Sequence, residues 1–245
     1  MKENYRQETL KAREALARGE LVLIFDRADR ECEVDLCVAA EHITPAIIHT
    51  LRRDGGGLIC VCTHPTIAKE LDLPFLTEVF EYAWNRYPVL KELQAHDIPY
   101  GERSSFSLTI NHRKTFTGIT DQDRALTIQE FVKLARELKD GKSPEEARKS
   151  FGKNFRSPGH VFLLKGAEGL LKNRSGHTEL SLALLEPIES MTSVAVICEM
   201  MNGRTGKAVS YEDAHKYAKK NNLQMISGDV IVKAYINAPG KEKTK

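Results

Sequence analysis

Hydrophobic positions in this chain follow two rhythms, one of two residues and one of three to four. Leu21-Val22-Leu23-Ile24-Phe25 is an unbroken apolar run and predicts a buried strand. From Glu31 the pattern alternates, placing Glu31, Glu33 and Asp35 on one face of an extended segment. Cys32, Val34, Leu36 and Val38 take the opposite, apolar face. Further strands are predicted over 58–62, 105–110, 161–164, 192–198 and 223–226. Helical spacing marks residues 4–18, ended near Gly19, and a helix that Thr44-Pro45 opens and Asp54 closes. A short helix follows over 64–71, and a longer one over 125–139. Ser143-Pro144 starts another, with Glu146 completing a capping box. The remaining helical patterns are Leu180–Leu185, a helix from Ser210 to Lys220, and one from Asp229 to Ile236 capped by Ser227.

Strands and helices interleave with no repeat or linker. The chain is therefore expected to be one α+β domain over 1–237, a mixed β-sheet flanked by helices on both faces. Residues 238–245 read as a disordered tail. Gly55-Gly56-Gly57 reads as a helix-to-strand turn, since no Lys-Ser/Thr follows as a phosphate loop needs. Residues 84–103 mix aromatics, prolines and charges without a period and read as a long surface loop.

Composition narrows the partners. Lys plus Arg is 36 against 34 for Asp plus Glu, so no charge excess argues for nucleic acid or a membrane surface. Five cysteines without a C-x-x-C pair argue against a disulfide framework and a structural zinc site. With no long apolar run and no signal-peptide pattern, the expectation is a cytoplasmic protein in a reducing compartment.

The candidate chemistry begins with the acidic face. Three carboxylates about 7 Å apart along one strand face repel one another unless a cation or a set of donors covers them. A solvated edge strand is the plainer reading. The apolar flanks Phe25 and Val38-Ala39-Ala40, and the neighbouring Arg30, favour a divalent metal with an oxygen-rich substrate. Arg174-Ser175-Gly176-His177-Thr178 precedes a helical pattern, and a helix start with an arginine and a hydroxyl makes a phosphate site. His177 there is either a capping residue or a ligand that completes the metal site. His160 follows a Pro158-Gly159 turn at a strand entrance, as an acid-base residue or a bond to the turn backbone. Glu199 ends the apolar run 194–198, as an acid-base residue or an ordinary cap.

Six motifs then converge. Asp26-x-x-Asp-Arg-Glu-x-Glu-x-Asp35, Gly57-Leu-Ile-Cys60, Thr117-Gly-Ile-Thr, Arg156-Ser-Pro-Gly-His160-Val, Arg174-x-Gly-His-Thr-Glu179 and Cys198-Glu199 occur in order along nearly the whole chain. Together the sequence resembles 3,4-dihydroxy-2-butanone 4-phosphate synthase of riboflavin biosynthesis, in its stand-alone archaeal-type form. The resemblance implies conversion of D-ribulose 5-phosphate into formate and L-3,4-dihydroxy-2-butanone 4-phosphate. It also implies Mg²⁺ or Mn²⁺, with two ions per site, and a homodimer with sites at the subunit interface. It places metal ligands at Glu31 and His177, phosphate contacts at Arg174 and Thr178, and acid-base groups at His160 and Glu199. Asp26, Arg30, Glu33, Asp35, Cys60, Thr117, Ser175 and Gly176 fall at other active-site positions. Cys32 and Val34 depart from the bacterial pattern, both expected on the apolar side of the strand. The rivals are another metal-dependent phosphosugar enzyme, which would release no formate, and a nucleic-acid or protein-binding module using basic clusters such as Arg52-Arg53.

Overall fold

The computed structural model describes residues 2–100 and 103–238, so all of the expected tail but Ala238 lies outside the described residues. Helix α1 (Lys2–Ala17) stops before Gly19, whose φ of +79° is the left-handed conformation that ends helices. Strands β1 (Val22–Phe25) and β2 (Val34–Ala39) follow, then α2 (Pro45–Asp54), where Thr44 accepts the Ile47 N–H. Next come β3 (Cys60–Thr63), α3 (Pro65–Glu70), α4 (Leu76–Ala83) and α5 (Val89–Glu92). The last of these is a short helix within the segment expected to be loop. After β4 (Phe106–His112) stand α6 (Asp121–Lys139) and α7 (Pro144–Asn154). Ser143 caps α7 by accepting the Glu146 N–H, but Glu146 accepts from the Ser143 hydroxyl rather than from its backbone. The chain closes with β5 (Phe155–Lys165), α8 (His177–Leu185), β6 (Val194–Glu199), α9 (Tyr211–Lys220), β7 (Gln224–Ser227) and α10 (Gly228–Ile236). Ser210 caps α9 with its side chain, whereas Ser227 makes no capping bond to α10.

The strands form one mixed sheet in the order β4-β5-β3-β6-β2-β1-β7, with β1–β7 and β3–β5 parallel and the other pairs antiparallel. Alternation along each strand sends side chains to two cores. Leu23, Leu36, Val61, Leu163 and Val196 meet Ile48, Leu51, Ile128 and Phe131 on one side. Ile24, Cys37, Cys62 and Ala195 meet Leu16, Leu180, Leu184 and Ile231 on the other. Helices thus cover both faces, as the interleaved pattern predicts. Among the described residues no helix is long and apolar enough to cross a membrane.

One strand departs from its sequence reading. β5 begins at Phe155, well before the predicted Val161, and the Pro158-Gly159 turn lies inside it. Asn111 pairs with Arg156 while Ile110 pairs with Val161, so residues 157–160 bulge from the ladder. A Cβ on Gly159 would stand 2.0 Å from the Ile110 carbonyl carbon and 2.3 Å from the Asn111 nitrogen. Because both atoms are backbone, Gly159→Ala is expected to destabilise the fold by about 3 kcal/mol or more, read from the urea midpoint. An unchanged midpoint would show that the bulge yields freely.

Candidate active site

The acidic segment is not the extended strand that its alternation predicts. Asp26, fully buried at the end of β1, accepts the backbone N–H of Glu33 on Oδ1 and of Glu31 on Oδ2, each at 3.0 Å. The Asp26 N–H in turn donates to the Glu33 carbonyl at 3.2 Å. One carboxylate therefore closes residues 26–33 into a loop, and these local bonds outcompete a strand ladder. Cys32 takes φ +57° and is exposed, not apolar-side, while Val34 is buried as expected. Of the three carboxylates only Asp35 sits in β2. The loop also fixes Arg30, whose buried guanidinium meets Asp26 at 3.2 Å, Glu31 at 2.8 Å and the Tyr100 ring at 4.7 Å.

At the start of α8 a second arginine arrives. A Cβ on Gly176 would stand 2.3 Å from Arg174 Nη1 and 2.7 Å from Arg30 Nη2, so two guanidiniums converge on a spot that only glycine leaves open. They meet above the first turn of α8, where free amides and the helix dipole favour an anion. Arg174 is held by Glu179, whose Oε2 pairs with Arg174 Nη1 and whose Oε1 accepts the Ala167 N–H at 3.0 Å.

Beside this cradle, His177 Nδ1 lies 3.1 Å from Glu31 Oε2 and its Nε2 lies 3.6 Å from Asp35 Oδ1. His177 Nε2 and both Asp35 oxygens are buried without a hydrogen-bond partner. Asp26, Glu31 and His177 each offer a ligand atom within 4.8 Å of the others, although the Asp26 oxygens are already engaged by the loop. The β2–β6 register sets Asp35 directly opposite Glu199, a like-charge pair that calls for a cation or a proton. Burial alone would raise Glu31, but the His177 hydrogen bond and the Arg30 charge outweigh it and hold its carboxyl at about 2. Burial alone would lower His177, but Asp35 and Glu31 outweigh that and raise it to about 9. Burial pushes Asp35 up against the pull of His177, and burial with Glu31 and Glu199 raises Glu33. Burial pushes the Cys60 thiol well up.

These groups border a cleft of about 270 Å³. Of the sequence candidates, Arg30, Glu31, Asp35, Cys60, Arg174, His177, Thr178 and Glu199 line it. Asp26, Glu33, Ser175 and Gly176 are not among its lining residues, although Asp26 holds the loop of Glu31 and Gly176 leaves room for the two guanidiniums. His160 and Thr117 do not line it; both are exposed, near each other, at the β5 bulge. Tyr100, Arg103, Ser105 and Phe106 line the cleft without having been singled out by sequence. For Tyr100 and Arg103 the signal was an aromatic and an arginine in a long loop, whereas Ser105 and Phe106 read only as the start of a strand.

The fold and site define a class: an α+β protein with carboxylate and imidazole donors suited to a hard divalent ion, set against a twin-arginine anion cradle. Comparison with known proteins makes this specific. Residues 10–234 match the sequence profile described as 3,4-dihydroxy-2-butanone 4-phosphate synthase. Proteins of that name from Methanothermobacter thermautotrophicus and Archaeoglobus fulgidus are 51% and 46% identical to the chain. The first alignment covers 94% of this chain and 95% of the relative, the second 90% and 91%. Among solved structures, the Candida albicans synthase superposes with TM-score 0.69 at 29% identity, over 94% of this chain and 97% of that one. A synthase solved in complex with two magnesium ions gives TM-score 0.71 at 25% identity, over 95% and 98%. The chain belongs to the 3,4-dihydroxy-2-butanone 4-phosphate synthase family, whose members serve riboflavin biosynthesis.

Proposed function

We propose that this cleft converts D-ribulose 5-phosphate into L-3,4-dihydroxy-2-butanone 4-phosphate and formate, a lyase step. The observation that carries the reading is the meeting of Arg30 and Arg174 over Gly176, directly beside the Glu31–His177 pair. Arg174, Arg30, the Thr178 hydroxyl and the backbone of Ser175 and Gly176 hold the phosphate. That orientation points the sugar's oxygens towards Glu31, Asp35 and His177.

Glu31 and His177 would hold Mg²⁺ or Mn²⁺, and the relative solved with two magnesium ions supports two per site. The orphaned Asp35 oxygens and His177 Nε2 fit such a group. Glu31 Oε2 and His177 Nδ1 face each other at 3.1 Å, a carboxylate and an imidazole of the donor types such an ion would take. When bound, the ion supplies Lewis acidity to neighbouring substrate oxygens.

The chain's own residues move the protons. Enolisation, dehydration, skeletal rearrangement and formate loss each move a proton or develop charge on neighbouring oxygens. Asp35 and Glu33, both raised by burial, are placed to take up and release protons, with Glu199 facing Asp35 across the strands. Cys60 contributes a neutral thiol to the wall, and Asp26 keeps the loop closed.

His160 and Thr117 stand outside their own cleft, which supports a homodimer in which the partner's His160 completes the site. The five free cysteines suit the cytoplasm. Purified protein with ribulose 5-phosphate and Mg²⁺ should release formate, and no release would reject the reading. His160→Ala and Glu199→Gln should each lose about 10²–10⁴ in turnover while binding substrate within a few-fold. Mixing inactive Glu31→Gln and His160→Ala subunits should restore about a quarter of parental activity, one native site in half of the dimers. Absence of any recovery would reject the shared site.

A further inference from the structure

We propose that Asn111 is a positioning residue that fixes His160 as its Nε2–H tautomer. His160 then meets substrate as a hydrogen-bond donor and not as a base. The inference rests on the assignment of His160 to the reaction made above.

Asn111 is buried near the end of β4, 3% exposed. Its Oδ1 accepts the His160 backbone N–H at 2.8 Å. Its Nδ2 donates to the Thr117 carbonyl at 3.3 Å. A backbone N–H can only donate and a carbonyl can only accept, so these two bonds fix which end of the amide is which. No alternative flip satisfies both. The same Nδ2 lies 3.1 Å from His160 Nδ1. That ring nitrogen must therefore accept, and a neutral imidazole accepting at Nδ1 carries its proton on Nε2.

Two further features hold the arrangement rigid. Gly118, at φ +95°, presses its backbone so close that a Cβ there would stand 2.0 Å from Asn111 Nδ2. The bulge at 157–160 turns the His160 backbone towards Asn111 instead of β4's ladder. Thr117 and His160, 43 positions apart, are thereby tied to one amide.

The consequence is a change of role. An imidazole with its proton on Nε2 has no free lone pair on its outward nitrogen. A proton added at Nδ1 would face the Asn111 N–H. His160 thus donates a hydrogen bond to a substrate oxygen as negative charge develops there, and the protons are carried by the carboxylates.

The test is a long-range ¹H–¹⁵N correlation spectrum of the full chain labelled with [¹⁵N]histidine, His160 being assigned by its loss in His160→Gln. The expected pattern is an unprotonated, pyridine-like Nδ1 and a protonated, pyrrole-like Nε2. In Asn111→Asp the carboxylate accepts from the ring, and the pattern should reverse. Asn111→Leu should lower kcat by about 10- to 100-fold with KM within about threefold, as when a group orienting a functional histidine is lost. A protonated Nδ1 in the parent protein, or an unchanged pattern in Asn111→Asp, overturns the proposal. The parent spectrum judges the tautomer even if the variants fold poorly. Full turnover by His160→Gln would instead overturn the assignment of His160 to the reaction.

Discussion

Glu31→Gln and His177→Ala are each expected to abolish formate release. A polarising cation supplies several kcal/mol of charge stabilisation, and losing it costs about 10³-fold or more in rate. Chelator should reproduce the loss in the parent protein, and Mg²⁺ or Mn²⁺ should reverse it. Full activity of Glu31→Gln after chelator treatment would sink the assignment. A second readout needs no turnover. His177 titrates at about 9 in the metal-free protein, so it is charged at pH 7, and a ligand nitrogen must be bare. Metal binding near pH 7 should therefore expel a proton and weaken as pH falls. Titration calorimetry in buffers of different ionisation enthalpy counts that proton, and a count of zero would contradict the site.

Arg174→Ala carries the second large effect, because it removes two things at once. The contact with phosphate is worth roughly 1.5–3 kcal/mol, so substrate should bind about 10- to 100-fold more weakly. The Glu179 side chain, fully buried, also loses its cation, and breaking such a pair costs about 3 kcal/mol of stability. Denaturation and calorimetry separate the two. In Arg174→Met/Glu179→Leu the stability should return apart from the lost Ala167 hydrogen bond, while the affinity stays lost. The phosphate reading fails if ribulose and ribulose 5-phosphate bind the parent protein equally well.

Much of this was legible in the sequence, for reasons that differ by element. The central strands announced themselves as apolar runs, and the N-caps at Thr44, Ser143 and Ser210 are local bonds that a short window contains. Half of the anion cradle was also local, since Arg174 through Thr178 are contiguous, but Arg30 joins it only through the fold. The loop over 26–33 was not. Its alternation is genuine, but Asp26 takes the Glu31 and Glu33 amides, and periodicity cannot register a competing side chain. The β5 bulge misled in the same way: Pro158-Gly159 signalled a turn, and only the pairing with β4 shows it interrupting a strand. The Asp35–Glu199 and Glu31–His177 meetings depend on register and crossover. Helix α5 lacks any buried residue and so left no apolar stripe to read.

Every residue of α8 is buried, the two at its N-terminus that face the cleft and the seven behind them alike. One wall of the cleft and the centre of one core are therefore drawn from the same nine residues. A substitution there cannot be judged for packing alone or for catalysis alone, since a shift that relieves one displaces the other. Adaptation to heat, whether by selection or by design, has to be made elsewhere. The exposed sides of α7 and α9 offer that room, because residues there can drift without moving an atom of the cleft.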